Sequence, residues 1–133
     1  MVINGKDMEI RLHGKIYHCP LDLASAFIGG KWKTVVLWYL CEKKRRFSEL
    51  KREIPGITEK MLSLQLKQLE KDGFVFRKIY AEVPPRVEYS LTEEGKTLIP
   101  TLEAMCLWGK TKAKTQGVIQ EVIRKPKKKK TKR

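Results

Sequence analysis

Between residues 31 and 42 the apolar positions fall at helical spacing. Trp32, Val35, Val36, Tyr39 and Leu40 recur at i, i+3, i+4, i+7 and i+8, the apolar stripe of an α-helix. Leu37 and Trp38 fall outside that stripe, which predicts a helix covered on more than one side. A shorter helix is predicted before it, from Leu21 to Ile28, ended by Gly29-Gly30. After it, Lys43, Lys44, Arg45 and Arg46 read as a basic loop. Ser48 is the expected N-cap of a short helix that turns Leu50 and Ile54 inward with Phe47. Pro55 pushes Ile54 out of the helical region and Gly56 permits a tight turn, so the pattern breaks there. Thr58 can cap a second, longer helix, which Gly73 should terminate just past Asp72.

From Phe74 to Glu82 the chain is rich in aromatic and branched residues and reads as a strand. Val83-Pro84-Pro85-Arg86 makes a stiff bend, and Val87 to Leu91 is a returning strand. Thr92 is the expected cap of a further helix, with Glu93 and Glu94 in its first turn, where acids favour the helix dipole. Leu98, Leu102, Met105 and Cys106 form its apolar face, and Pro100 should kink or interrupt it. Residues 1–19 alternate weakly and suit a short hairpin or an extended arm. Two helices joined by a Gly-containing turn and followed by a β-hairpin have the order of a winged helix-turn-helix. The expected fold is therefore mainly α with a small β-hairpin wing. Its parts are an N-terminal arm over 1–19, a domain with a C-terminal helix over 20–115, and a basic tail over 116–133.

Length and charge narrow the function. A chain of 133 residues suits one domain with a genuine core. Its 29 Lys and Arg against 15 Asp and Glu leave a net charge of +14, which points to a polyanionic partner, most simply nucleic acid. Eight of those charges lie in Arg124 to Arg133, and subtracting them leaves +6 on residues 1–123. Such a tail reads as a disordered, non-specifically sticky appendage or as a nuclear-localisation signal. The longest apolar run, Val35 to Cys41, is too short to span a bilayer, and the first ten residues lack the apolar region of a secretory signal. Three cysteines without paired spacing argue against a disulfide framework and fit a reducing cytoplasm. With two histidines, and no nucleophile triad, phosphate loop or zinc-ligand spacing, neither an enzyme, a cofactor nor a metal site is expected.

The helix expected over Thr58–Asp72 has two chemically different faces. At 100° per residue, Leu62, Leu66 and Leu69 fall within a sector of about 60° and anchor it. Lys60, Ser63, Leu64, Lys67 and Lys71 lie on the opposite side. Lysines there can neutralise phosphates or donate to guanine, and Ser63 can bond bases or backbone. Thr58 marks a helix N-terminus, which favours a phosphate. Leu64 can contact a thymine methyl, or instead pack on a neighbouring loop. On the hairpin, Arg86 is placed for the minor groove, whereas Arg77 and Lys78 either join it or pair across the strands with Glu82 or Glu88. A merely solvated cationic face is the alternative for the lysines.

Taken in order, these fragments resemble the HxlR-type winged-helix transcriptional regulators, related in fold to the MarR group. The resemblance runs from Cys19 to Gly109. It is carried by Cys19-Pro20, Gly30-Lys31-Trp32, Arg46 to Leu50, Ile54 to Thr58, Leu66 to Gly73, Val83 to Tyr89, Leu91 to Gly95, Pro100 and Trp108-Gly109. It implies a homodimer paired through N-terminal and C-terminal helices and bound to double-stranded DNA at partly palindromic operators. It also implies that the cysteine matched by Cys19 senses oxidants or electrophiles in some relatives. His18 beside Cys19 adds an imidazole next to a thiol, an arrangement that favours reactivity; an ordinary half-buried cysteine is the alternative. Cys41 and Cys106 read as core, and Trp32, Trp38 and Trp108 as core or dimer contacts.

The function expected is that of a cytoplasmic, homodimeric, sequence-specific DNA-binding regulator with an unidentified effector. The second reading is a non-specific architectural DNA-binding protein that works through its Lys-rich tail.

Overall fold

In the computed structural model, residues 1–122 are described; the tail from Arg124 to Arg133 lies outside them. The chain divides into two units, Met1–Leu102 and the residues from Glu103 onward.

The N-terminal arm folds as two short antiparallel hairpins, β1 (Val2–Ile3) with β2 (Lys6–Asp7) and β3 (Ile10–Leu12) with β4 (Lys15–Tyr17). Asn4 and Gly5 close the first at φ 51° and 74°, and His13 and Gly14 the second at φ 48° and 76°. Two consecutive positive φ values give a turn whose twist matches the flanking strands. Helix α1 (Pro20–Ile28) follows, with Cys19 as its N-cap, and Gly29 ends it. Helix α2 (Lys31–Glu42) is the central element, burying Val36, Leu37 and Leu40, with Trp32, Val35 and Tyr39 half-buried against the same core. Of the two residues outside the predicted stripe, Leu37 is fully buried, whereas Trp38 is 40% exposed.

Strand β5 (Arg45–Arg46) leads directly into helix α3 (Phe47–Glu53). The expected cap at Ser48 is corrected: the helix begins at Phe47, and Glu49 accepts the Arg46 backbone N–H at 3.2 Å. Pairing of β5 brings the chain in as strand and leaves Ser48 inside the first helical turn. Helix α4 (Glu59–Lys71) comes next, then the hairpin of β6 (Val75–Tyr80) and β7 (Arg86–Leu91), helix α5 (Glu93–Lys96) and helix α6 (Ile99–Gln116). The sheet order is β5-β7-β6, antiparallel throughout. Thr92 caps α5, and a new helix starts just before Pro100, so the proline marks an interruption, as its missing N–H requires. Burial along α6 stops at Leu102: Met105 is 50% exposed and Cys106 is exposed, which corrects the reading of both as core-facing. Cys41 is half-buried against the core.

Arg45 is another correction, since it belongs to no loop. It is 4% exposed, and its guanidinium pairs with Glu53 and with Glu42 (2.7 Å), while Nε donates to the Tyr39 carbonyl at 3.0 Å. This one side chain ties the end of α2 to α3. Arg45→Ala is expected to destabilise the fold by about 2–3 kcal/mol, below the loss for a fully dry pair because both glutamates keep solvent access. A urea melt showing less than about 0.5 kcal/mol would make the contact incidental.

Candidate nucleic-acid interface

The turn between α3 and α4 is held at both ends by apolar anchors. Ile54 and Ile57 are each 2% exposed, and Gly56 between them takes φ +82°, which a side chain rarely adopts. At the start of α4, Thr58 Oγ1 accepts the Met61 N–H at 3.0 Å. At its end, Gly73 takes φ +84°, the Gly73 N–H donates to Glu70 O at 3.1 Å, and the Phe74 N–H to Leu69 O at 2.9 Å. These two bonds are a Schellman motif, so both helix ends are satisfied by local sequence.

Leu62, Leu66 and Leu69 are buried to 1% exposure or less, which fixes the rotation of α4 about its axis. Lys60, Lys67 and Lys71 are exposed, Ser63 is half-buried, and none of the three lysines forms an ion pair among the described residues. Leu64 stands 57% exposed among them rather than packed away. The helix therefore offers a cationic face with one apolar side chain in it.

The wing distributes its charges differently from the expectation. Arg86 opens β7 opposite Tyr80 rather than sitting free at the tip. Its guanidinium lies 4.0 Å from the Tyr80 ring centroid, with Glu82 at 3.4 Å and Glu88 at 3.5 Å. Glu88 also accepts from the Tyr80 hydroxyl at 3.2 Å and has Lys44 at 3.9 Å. Thus Arg86 takes both carboxylates that were expected to engage Arg77 or Lys78. Register explains this: Tyr80, Glu88 and Arg86 share a sheet face, with Lys78 on it 4.7 Å from the Tyr80 ring. Arg77 lies on the other face, opposite Tyr89, exposed and without an ion pair among the described residues. Arg46 and Ser48 join the prolines of the wing tip around an open cavity of about 480 Å³. Their place on this surface was hidden in sequence because it depends on β5 pairing with β7.

Cys19 is remote in sequence from these elements. Its sulfur accepts the Asp22 N–H at 3.5 Å at the positive end of α1. The His18 ring pairs with Asp22 (Nδ1 to Oδ2, 3.0 Å), so the imidazole expected to act on the thiol is engaged by a carboxylate. Among the described residues there is no cluster of three or more His, Cys, Asp or Glu able to hold a metal, and no helix is long and apolar enough to cross a membrane.

A three-stranded sheet carrying a wing, packed with a helix-turn-helix whose second helix exposes a cationic face, defines a winged helix-turn-helix DNA-binding protein. The chain matches the HxlR-like helix-turn-helix family over residues 27–117 and belongs to it. It is a non-enzymatic transcriptional regulator of that family, and it is 54% identical over 94 residues to an HTH-type transcriptional regulator of Methanothermobacter thermautotrophicus, covering 71% of this chain and 72% of that one. Among solved structures, the redox regulator HypR in its oxidised form is similar with TM-score 0.68 and 48% identity, covering 70% of this chain and 96% of that one. Reduced HypR gives TM-score 0.70 and 45% identity, covering 73% and 96% respectively.

Proposed function

We propose that the protein is a cytoplasmic homodimer that regulates transcription by reading a partly palindromic operator. The observation that carries this is the division of α4 into a buried leucine row and a free cationic face. Thr58 and the N-terminus of α4 anchor a phosphate, and Lys60, Ser63, Leu64, Lys67 and Lys71 face the major groove. The wing follows the adjacent backbone and minor groove through Arg77 and Arg86. DNA must compete with Glu82 and Glu88 for Arg86, whereas Arg77 has no such competitor. Dimerisation draws support from Leu107 and Trp108 on α6, which are 67% and 68% exposed. Selection of bound DNA from a random pool, followed by footprinting, is expected to return two half-sites separated by one or more helical turns of about 34 Å. Uniform protection with no two-fold preference would instead support the architectural reading.

Cys19 is the proposed oxidant- or electrophile-responsive residue. The similarity to HypR, named as a redox regulator, and the position of the sulfur at a helix N-terminus support this. Oxidant is expected to change operator affinity in the native protein and leave Cys19→Ser unchanged. Identical responses in the two proteins would remove Cys19 from the mechanism.

A further inference from the structure

A cavity of about 580 Å³ opens beside the C-terminal end of α4, within the unit Met1–Leu102. Most of its wall is apolar, including Leu12, Leu23, Leu98 and the rings of Phe27 and Phe74, which meet edge to face at 5.9 Å. Its charged lining consists of two carboxylates, Asp72 and Glu94, with the exposed His13 as a third polar group. Neither carboxylate has a cationic partner among the described residues. Asp72 receives only the Gln68 side-chain amide, at 3.2 Å to each oxygen, and Glu94 lies against the turn, 3.3 Å from where a Cβ on Gly73 would stand. From α4, a 13-residue helix, the residue that lines the cavity is its C-cap Asp72. In a chain of net charge +14, this is a locally anionic pocket with aromatic walls.

We infer that this cavity is an effector site for an organic cation, an alkyl- or aryl-substituted ammonium or phosphonium with an apolar body. Each part of the wall has a counterpart in such a ligand. The two carboxylates supply the countercharge, the two phenyl rings supply cation–π contact, and the aliphatic residues take the apolar body. An inorganic cation would leave the apolar wall unused, and an anion would meet both carboxylates.

The site also touches the DNA-reading elements. Asp72 is the C-cap of α4, Phe74 leads into β6, and Glu94 stands on α5. The Thr92 hydroxyl donates to Gly73 O at 2.5 Å and the Thr92 N–H to Phe74 O at 3.1 Å, which ties α5 to that same turn. A cation held between Asp72 and Glu94 would draw α5 and the end of α4 together and so bias the reading helix and the base of the wing. This coupling rests on the operator reading above; the binding site itself does not.

Two measurements separate them. Calorimetry without DNA, using tetraphenylphosphonium as probe and neutral triphenylphosphine oxide as comparator, tests the site. Saturable binding of the cation is expected, weakened at least about tenfold in Asp72→Asn/Glu94→Gln, with the neutral comparator unaffected by that change. Ala24→Trp, which fills the cavity from α1, is expected to abolish binding of both while circular dichroism stays native. Absence of saturable binding to the native full-length protein, as when a second copy fills the cavity, overturns the site. So does cation binding indifferent to both variants. The DNA sequence selected from the random pool then tests the coupling: saturating probe is expected to change its affinity at least threefold in the native protein and not in Asp72→Asn/Glu94→Gln. An unchanged affinity overturns the coupling and leaves the calorimetric result standing, whether or not a preferred operator exists.

Discussion

Leu66→Ala is expected to lower the unfolding free energy by about 3–4 kcal/mol, whereas Lys67→Ala, one residue along the same helix, is expected to change it by less than about 0.5 kcal/mol. Leu66 is 1% exposed, between Leu62 and Leu69 in the row that seats α4 on α2 and the sheet. Truncation removes its transfer free energy and leaves a cavity that the buried leucines around it can fill only in part. Against a total stability of about 5–15 kcal/mol, that loss is large. It should move the thermal midpoint by about 12–25 °C in a domain of this size. Lys67 is exposed and makes no ion pair among the described residues, so its removal takes away a charge and little packing. Urea melts followed by circular dichroism, at constant denaturant slope, read both changes. A loss under about 1 kcal/mol in Leu66→Ala would mean that the leucine row does not seat the helix. The reading face would then have no fixed direction.

That contrast also shows why α4 was legible in the sequence. Its period, its cap at Thr58 and its stop at Gly73 are all local, within one helix length, and the structure reproduces each. Features that depend on distant partners were not legible. Arg45 looks like one more cation in a basic run, and its burial depends on Glu42, Glu53 and Tyr39 converging on it from two helices. The start of α3 at Phe47 depends on β5, two residues long and too short to show alternation, pairing with β7 some forty positions later. In the arm, Asn4-Gly5 is a strong turn signal, yet strands of two residues around it carry no periodicity. On the wing, composition supplied the right charges, but register decided that Arg86 rather than Arg77 or Lys78 would hold the acids. Along α6, periodicity marked Met105 and Cys106 as an apolar continuation and had no means of showing that burial ends at Leu102.

The largest expected effect on DNA binding comes from separating the two sources of positive charge. Deleting residues 124–133 removes eight of the fourteen net charges, whereas the segment from Thr58 to Leu91 carries six basic and five acidic residues, a net of only +1. Removing the neutralisation of one phosphate lowers the slope of log affinity against log salt by about 0.9. A tail that neutralises about four phosphates would therefore take about 3.6 units of slope with it, so the affinity lost on deletion should be about two orders of magnitude larger at about 50 mM than at about 200 mM salt. That loss should fall equally on operator and random DNA, because charge on a backbone carries no sequence information. Lys60→Ala/Lys67→Ala on the full chain should behave in the opposite way. Each lysine that donates to a base edge contributes about 1–3 kcal/mol of discrimination, so the operator-to-random ratio should fall at least tenfold while the salt slope changes by two units at most. Titrations of both proteins against operator and scrambled duplex at several salt concentrations resolve the two contributions. Loss of all binding on tail removal, with the ratio untouched by the lysine pair, would transfer the function from α4 to the tail and make this chain a coater rather than a reader.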